Sequence, residues 1–143
     1  MKVKMIKLFL RVSIGVGFLS AVADRFGLWS KEVSAWGNWD SFLRYTQKLN
    51  PLIPLSLIPL AAWVSTLLEI LFGFCLIIGF KTSFFAKLSG WLLLIFALAM
   101  TFSVSIKSPL DASVFAASAA AFGLSLLKER FLEIDSLLEK NKI

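Results

Sequence analysis

Histidine is absent from this 143-residue chain, and cysteine occurs once, as Cys75. The first absence removes the usual haem axial ligand, the commonest transition-metal ligand and the commonest general base. The second leaves no internal disulfide and no paired-cysteine redox or zinc motif, so no metal site is expected. Charge is also scarce. Only 17% of residues are charged, against 58% hydrophobic and a mean hydropathy of +0.82, which is too apolar for a soluble domain of this size. Residues 1–143 therefore read as one integral membrane domain in contact with a lipid bilayer. The 14 Phe and 5 Trp suit a lipid-facing surface with interfacial Trp better than a small aqueous core.

The net charge of +6 is no nucleic-acid footprint. The basic residues are scattered at the ends of apolar runs and form no patch interleaved with aromatics. Those runs predict an all-α fold, a bundle of four transmembrane helices over about 12–29, 57–80, 84–106 and 109–127. With four spans, Lys2, Lys4, Lys7, Arg11, Lys81, Lys87, Lys128, Arg130, Lys140 and Lys142 fall on one side, and Arg25, Lys31, Arg44, Lys48 and Lys107 on the other. The positive-inside rule then places both termini in the cytoplasm of a multi-pass protein. Lys2 to Lys7, an apolar stretch and Ala21-Val22-Ala23 imitate a cleaved signal peptide, but apolar character resumes at Phe26, which favours a retained span.

The segment from Ser30 to Ser56 is too long for a tight turn. Asn38 can cap a helix from Trp39 to Leu49, with Trp39, Phe42, Leu43, Thr46 and Leu49 on one face and Asp40, Arg44, Gln47 and Lys48 on the other. Such a helix is expected to lie on the membrane surface in the first extracytoplasmic loop, beside Trp29 and Trp36 as interfacial anchors. A solvated loop is the alternative. In the tail, 128–143, the helical spacing of Leu127, Phe131, Ile134 and Leu138 predicts a cytoplasmic extension of the fourth helix or a further interfacial helix.

Glu69 carries the most information about function. It is a lone acid inside the second apolar run, where burying an ionisable group costs on the order of 2 to 3 kcal/mol or more, so it should face a bundle interior, a partner or a cavity. Small residues mark packing faces in lipid. By that criterion Ser13, Gly17, Ala21 and Asp24 face inward on the first span, Ser65, Glu69 and Gly73 on the second, Ala97, Thr101 and Ser105 on the third, and Ala112, Ala116, Ala120 and Gly123 on the fourth. With helix ends at Trp29 and Leu60, Asp24 and Glu69 lie about 8 and 14 Å inside the outer boundary, close enough to meet.

Arg25 is expected near the same depth, reaching Asp24 indirectly or snorkelling outward, as Arg11 would at the inner headgroups. Lys107 and Asp111 flank the outer mouth. Ser108-Pro109-Leu110-Asp111 also has the form of a helix start, with a cap, a proline and an N3 acid, which explains Asp111 without any function. Likewise Glu69 can be read as a protonated acid bonded across helices to a hydroxyl or carbonyl, fixing packing alone. Cys75 is most simply a small buried side chain.

Arg11-Val-Ser-Ile-Gly-Val-Gly-Phe-Leu, Gly37-Asn-Trp-Asp-Ser-Phe, Leu68-Glu-Ile-Leu-Phe-Gly73 leading to Gly79-Phe-Lys-Thr82, and Pro109-Leu-Asp-Ala-Ser-Val-Phe115 together resemble the DoxX family of small four-span membrane proteins. The resemblance covers roughly residues 8–127. It implies a bacterial inner-membrane bundle and an association with thiosulfate:quinone oxidoreductases or oxidative-stress complexes. More distantly, an acid on each of the first two spans resembles the sterol-isomerase and sigma-2-receptor group, with Asp24 and Glu69 at the matching positions.

With no cofactor intrinsic to the chain, a bound quinone or a partner oxidoreductase subunit would have to supply any redox chemistry. The expected function is therefore binding of a quinone or other lipophilic small molecule at Glu69, Asp24, Arg25, Asp111 and Lys107. On that reading Glu69→Gln releases the ligand without unfolding the bundle. The alternatives are a structural scaffold subunit or homo-oligomer and a small proton-coupled carrier. No catalytic residue is assigned, although two acids of opposed protonation can run an isomerisation.

Overall fold

The computed structural model describes residues 1–136, which form helices and connecting turns without a strand. The helices are α1 (Lys2–Arg25), α2 (Trp39–Leu49), α3 (Ile58–Ile78), α4 (Thr82–Ser103), α5 (Lys107–Asp111) and α6 (Val114–Leu126), with a 3-10 turn at Leu55–Leu57 leading into α3. Three are long and apolar enough to cross a membrane: α1, α3 with its leading turn, and α4; α6 is a shorter apolar helix. Helix α1 packs on α3, α3 on α4, α4 on α6, and α6 back on α1. Phe18, Phe72, Leu76, Phe85 and Leu124 fill the centre. Large apolar side chains such as Phe9, Leu60, Leu67, Phe74, Ile95 and Phe102 point outward, which suits a surface solvated by acyl chains.

The ends of the spans follow backbone chemistry that hydropathy does not report. Helix α1 starts ten residues before the expected Val12 and stops at Arg25, four short of Trp29. Gly27 takes φ +70°, and the Leu28 and Gly27 N–H groups donate to the Ala23 and Asp24 carbonyls, the two bonds of a Schellman turn. Helix α3 ends in the same way at Gly79 (φ +73°), where Gly79 N–H reaches Leu76 O and Phe80 N–H reaches Cys75 O. A Cβ at Gly79 would sit 2.6 Å from Arg11 Nη2 and 2.7 Å from Glu133 Cα, so close approach as well as φ demands glycine there. Pro59 is tolerated because it lies in the first turn of α3.

Helix α2 occupies the residues the sequence indicates, and the Asn38 side chain accepts a 2.8 Å bond from Ser41 N–H as its cap. The fourth apolar run departs from expectation. Ser108 does not cap a long helix: α5 begins after Ile106 with no side-chain cap, and the chain breaks at Ala112–Ser113, where Ser113 adopts φ +56°. Helix α6 then has 13 residues, about 20 Å at 1.5 Å per residue, against a hydrocarbon core of about 30 Å. The tail is no extension of it either, since Leu127 is already extended and the chain turns back toward α1, with Leu138 outside the described residues.

The inward faces are also partly redrawn. On α3 the stripe holds, with Glu69 and Gly73 buried, and on α4 Ala97 is buried while Ser105 is exposed. On α1 Asp24 is buried as expected, but Ser13 and Gly17 are exposed, and the other buried residues are Lys7, Arg11, Ile14, Gly15, Phe18, Val22 and Arg25. Ala112 falls before α6, at the end of α5; on α6 Ala116 and Gly123 are exposed, and Ser118, Ala121 and Leu124 face inward. The helix glycines at close contacts are Gly73, as expected, facing the Gly15 carbonyl and Leu19, together with Gly15, facing Ile77 and the Gly73 carbonyl, and Gly90, facing the Phe122 ring.

Candidate functional site

Because α1 stops at Arg25, its last side chain projects across to the middle of α3 and meets the lone acid. Arg25 Nη2 lies 2.7 Å from both Oε1 and Oε2 of Glu69, and Nη1 donates to Thr66 Oγ1 at 2.8 Å. Thr66 stands one turn from Glu69 on the same face, and its hydroxyl also donates to Ala62 O. The pair is sealed: the two side chains are 4% and 2% exposed. Arg25 therefore neither snorkels outward nor leans on Asp24, and Glu69 is no isolated acid bonded to a hydroxyl or carbonyl.

An aromatic roof covers the guanidinium. Its carbon lies 4.0 Å from the Phe42 ring centroid and 5.4 Å from that of Trp36, a cation set against two adjoining aromatic rings. Phe42 comes from the inward face of α2, and Trp36 packs edge-on against it at 5.2 Å. Trp39 meets Trp63 of α3 at 4.4 Å and stacks on Phe26, joining the roof to the helices beneath. Tyr45 lies beside Trp36, and burial raises its phenol above the ordinary tyrosine range. Within this shell Arg25 Nε is buried and has no acceptor.

Asp24 and Glu69 do not form a carboxylate pair. Asp24 instead holds the loop that carries Trp36. Its carboxylate accepts from Ser34 Oγ–H and from the backbone N–H groups of Ala35 (2.8 Å), Trp36 (3.0 Å) and Gly37 (3.3 Å). Asp24, Gly17, Ser20, Ala21, Trp29, Val33, Ala35 and Trp36 enclose a groove of about 400 Å³. Trp36 thus borders both this groove and Arg25. Lys107 and Asp111 pair with each other at an exposed position in α5. They join no polar contact with Arg25 or Glu69.

At the other end of α1, Arg11 is fully buried and organises a second polar cluster. It donates to Leu76 O and Ile77 O in the last turn of α3, and to Phe131 O and Leu132 O of the tail, at 2.9 to 3.0 Å. It does not reach for headgroups. Glu133 lies 2.8 Å from Lys7 Nζ and 3.4 Å from Arg11 Nη1, and Asp135 accepts from the first N–H groups of α4, at Lys81 and Thr82. Sequence inspection overlooked this cluster and Thr66. The available signal was phase: Lys7, Arg11, Phe18 and Arg25, spaced four, seven and seven apart, share one face of α1.

No protein-family model, curated protein or solved structure matches this chain. Among the described residues no three of Cys, Asp and Glu converge as a metal-binding group. The chemistry on offer is a buried cation with one spare N–H, its carboxylate partner and flat aromatic walls.

Proposed function

We propose that the chain is a DoxX-like bundle of four spans in a bacterial inner membrane, with both termini cytoplasmic and α2 lying at the outer interface. We further propose that it binds a quinone or similar amphiphile beside Arg25 and Glu69 for a partner membrane oxidoreductase. The observation that carries this reading is the orphaned Arg25 Nε–H. Leaving a buried donor unpaired costs about 1 to 3 kcal/mol, more beside a charge, and a ligand carbonyl would recover it. A quinone presents such an acceptor on a flat apolar body, which matches a guanidinium bordered by Trp36 and Phe42. The groove behind Trp36 offers an approach, and rotation of that one side chain would join it to the pair. Lys107 and Asp111 have no part in this site.

The ion pair changes the choice of test. Glu69→Gln removes the charge opposite Arg25 and is expected to destabilise the fold, so lost ligand in that variant would be uninformative. Arg25→Lys retains a cation for Glu69 but lacks Nε. We expect wild type purified in mild detergent to retain a specific amphiphile by mass spectrometry, and Arg25→Lys to lose it while unfolding at a similar temperature. Equal retention, or bulk phospholipid alone in both, would refute the proposal.

The scaffold reading has its own support in the outward Ala116, Ala119 and Gly123 of α6, a small-residue face open to a partner helix. Bulky substitution at Ala116 would then break association with a partner subunit or second copy while leaving ligand content unchanged, whereas Ala120 packs against the core and is no clean probe of it. The carrier reading gains nothing, because both Glu69 oxygens are held by Arg25.

A further inference from the structure

A second groove, of about 590 Å³, lies along the C-terminal half of α2 and the segment that follows it, lined by Arg44, Gln47, Lys48 and Asn50–Leu55. Its polar wall is the outward face of α2, where Arg44 and Lys48 stand one turn apart. Like charges at that spacing repel, and no acid answers them: no ion pair joins either to a carboxylate among the described residues, Asp40 included, and Arg44 turns to Ser41 Oγ at 2.9 Å. The opposite wall is apolar and bare, with Leu52 96% and Leu55 69% exposed. That wall runs directly into the first turn of α3, where the span begins and Leu57 and Leu60 continue the exposed apolar track.

We infer that this groove binds an anionic phospholipid, its phosphate between Arg44 and Lys48 and its acyl chains along Leu52, Leu55 and Leu60. Charge complementarity specifies the headgroup, since two uncompensated cations beside Gln47 and Asn50 suit a phospholipid of net negative charge better than one whose phosphate is already balanced by a headgroup ammonium. The register of α3 specifies the source. The groove sits where the apolar span starts, at headgroup level, and Leu52 would be exposed to water without a lipid beside it. The site is separate from the Arg25–Glu69 pair and does not depend on any ligand there.

The test is lipid selection by the full-length protein in nanodiscs of equal phosphatidylglycerol and phosphatidylcholine, read by native mass spectrometry. Wild type should retain phosphatidylglycerol preferentially. Arg44→Gln with Lys48→Gln should cut that preference on the order of thirtyfold, and Lys48→Gln alone about fivefold, at about one unit charge each. Lys31→Gln with Lys107→Gln removes the same charge elsewhere and should leave the preference intact. All four side chains are exposed, so the variants should fold. Equal retention of both lipids by wild type, an unchanged preference in Arg44→Gln with Lys48→Gln, or an equal loss in the control pair would overturn the assignment. Displacement of the lipid by millimolar inorganic phosphate would overturn the lipid source in favour of a free anion.

Discussion

Breaking the Arg25–Glu69 pair from one side should damage the protein far more than deleting both charges together. Glu69→Leu leaves a guanidinium 3% exposed with only Thr66 and two aromatic faces for company. Removing one member of a buried pair costs about 3 to 5 kcal/mol, because the survivor stays desolvated without its counter-charge. Arg25→Met strands Glu69 on the inner face of α3 in the same way. The double variant Arg25→Met with Glu69→Leu replaces the pair by apolar groups of similar volume, a change that is close to neutral or even stabilising by about 1 to 4 kcal/mol in comparable interiors. The coupling should therefore be at least about 3 kcal/mol. The lesser contacts bracket the effect. Thr66→Val should cost about 1.5 to 3 kcal/mol for a hydrogen bond to a charge, and Phe42→Leu about 2 for a desolvated cation–π contact. Reversible unfolding in mixed micelles by dodecyl sulfate titration reads all five variants on one scale. Additive single and double effects would show that the two charges do not depend on each other in the folded protein, and would refute the argument.

Gly90→Ala, whose Cβ would fall 2.8 Å from the Phe122 ring, should cost about 1 to 3 kcal/mol in the same unfolding assay. Gly123→Ala, with nothing within 4 Å, should be neutral or stabilising by up to about 1 kcal/mol, and the reverse order would mean that the α4–α6 contact is misplaced. Arg11→Met should free the tail from α3, so limited trypsin digestion after Lys128 should accelerate relative to wild type while cleavage after Lys31 does not change. The chain's single tyrosine makes α2 easy to follow. Tyr45 should titrate by ultraviolet absorbance above the usual midpoint near 10, because burial favours the neutral phenol, and Trp36→Ala should lower that midpoint.

The sequence by itself determined the elements whose signals are local. Apolar runs long enough to span, the Asn38 cap, the two faces of α2 and the cost of placing Glu69 in hydrocarbon all follow from neighbouring residues and elementary energetics. Tertiary structure decided which groups meet. Arg25 and Glu69 are 44 positions apart and Arg11 and Leu132 are 121 apart, so no local pattern pairs them. It also decided where spans end, because Gly27 and Ser113 leave the helix through backbone angles to which hydropathy is blind. Helix rotation was the least legible property. In a chain apolar on every side, lipid and protein accept the same side chains, so small residues at Gly17 and Gly123 mimic a packing face that Gly15 and Gly90 actually supply. The charged residues of α1 break that degeneracy: Lys7, Arg11 and Arg25 must turn away from the acyl chains toward their partners, and that requirement orients the helix.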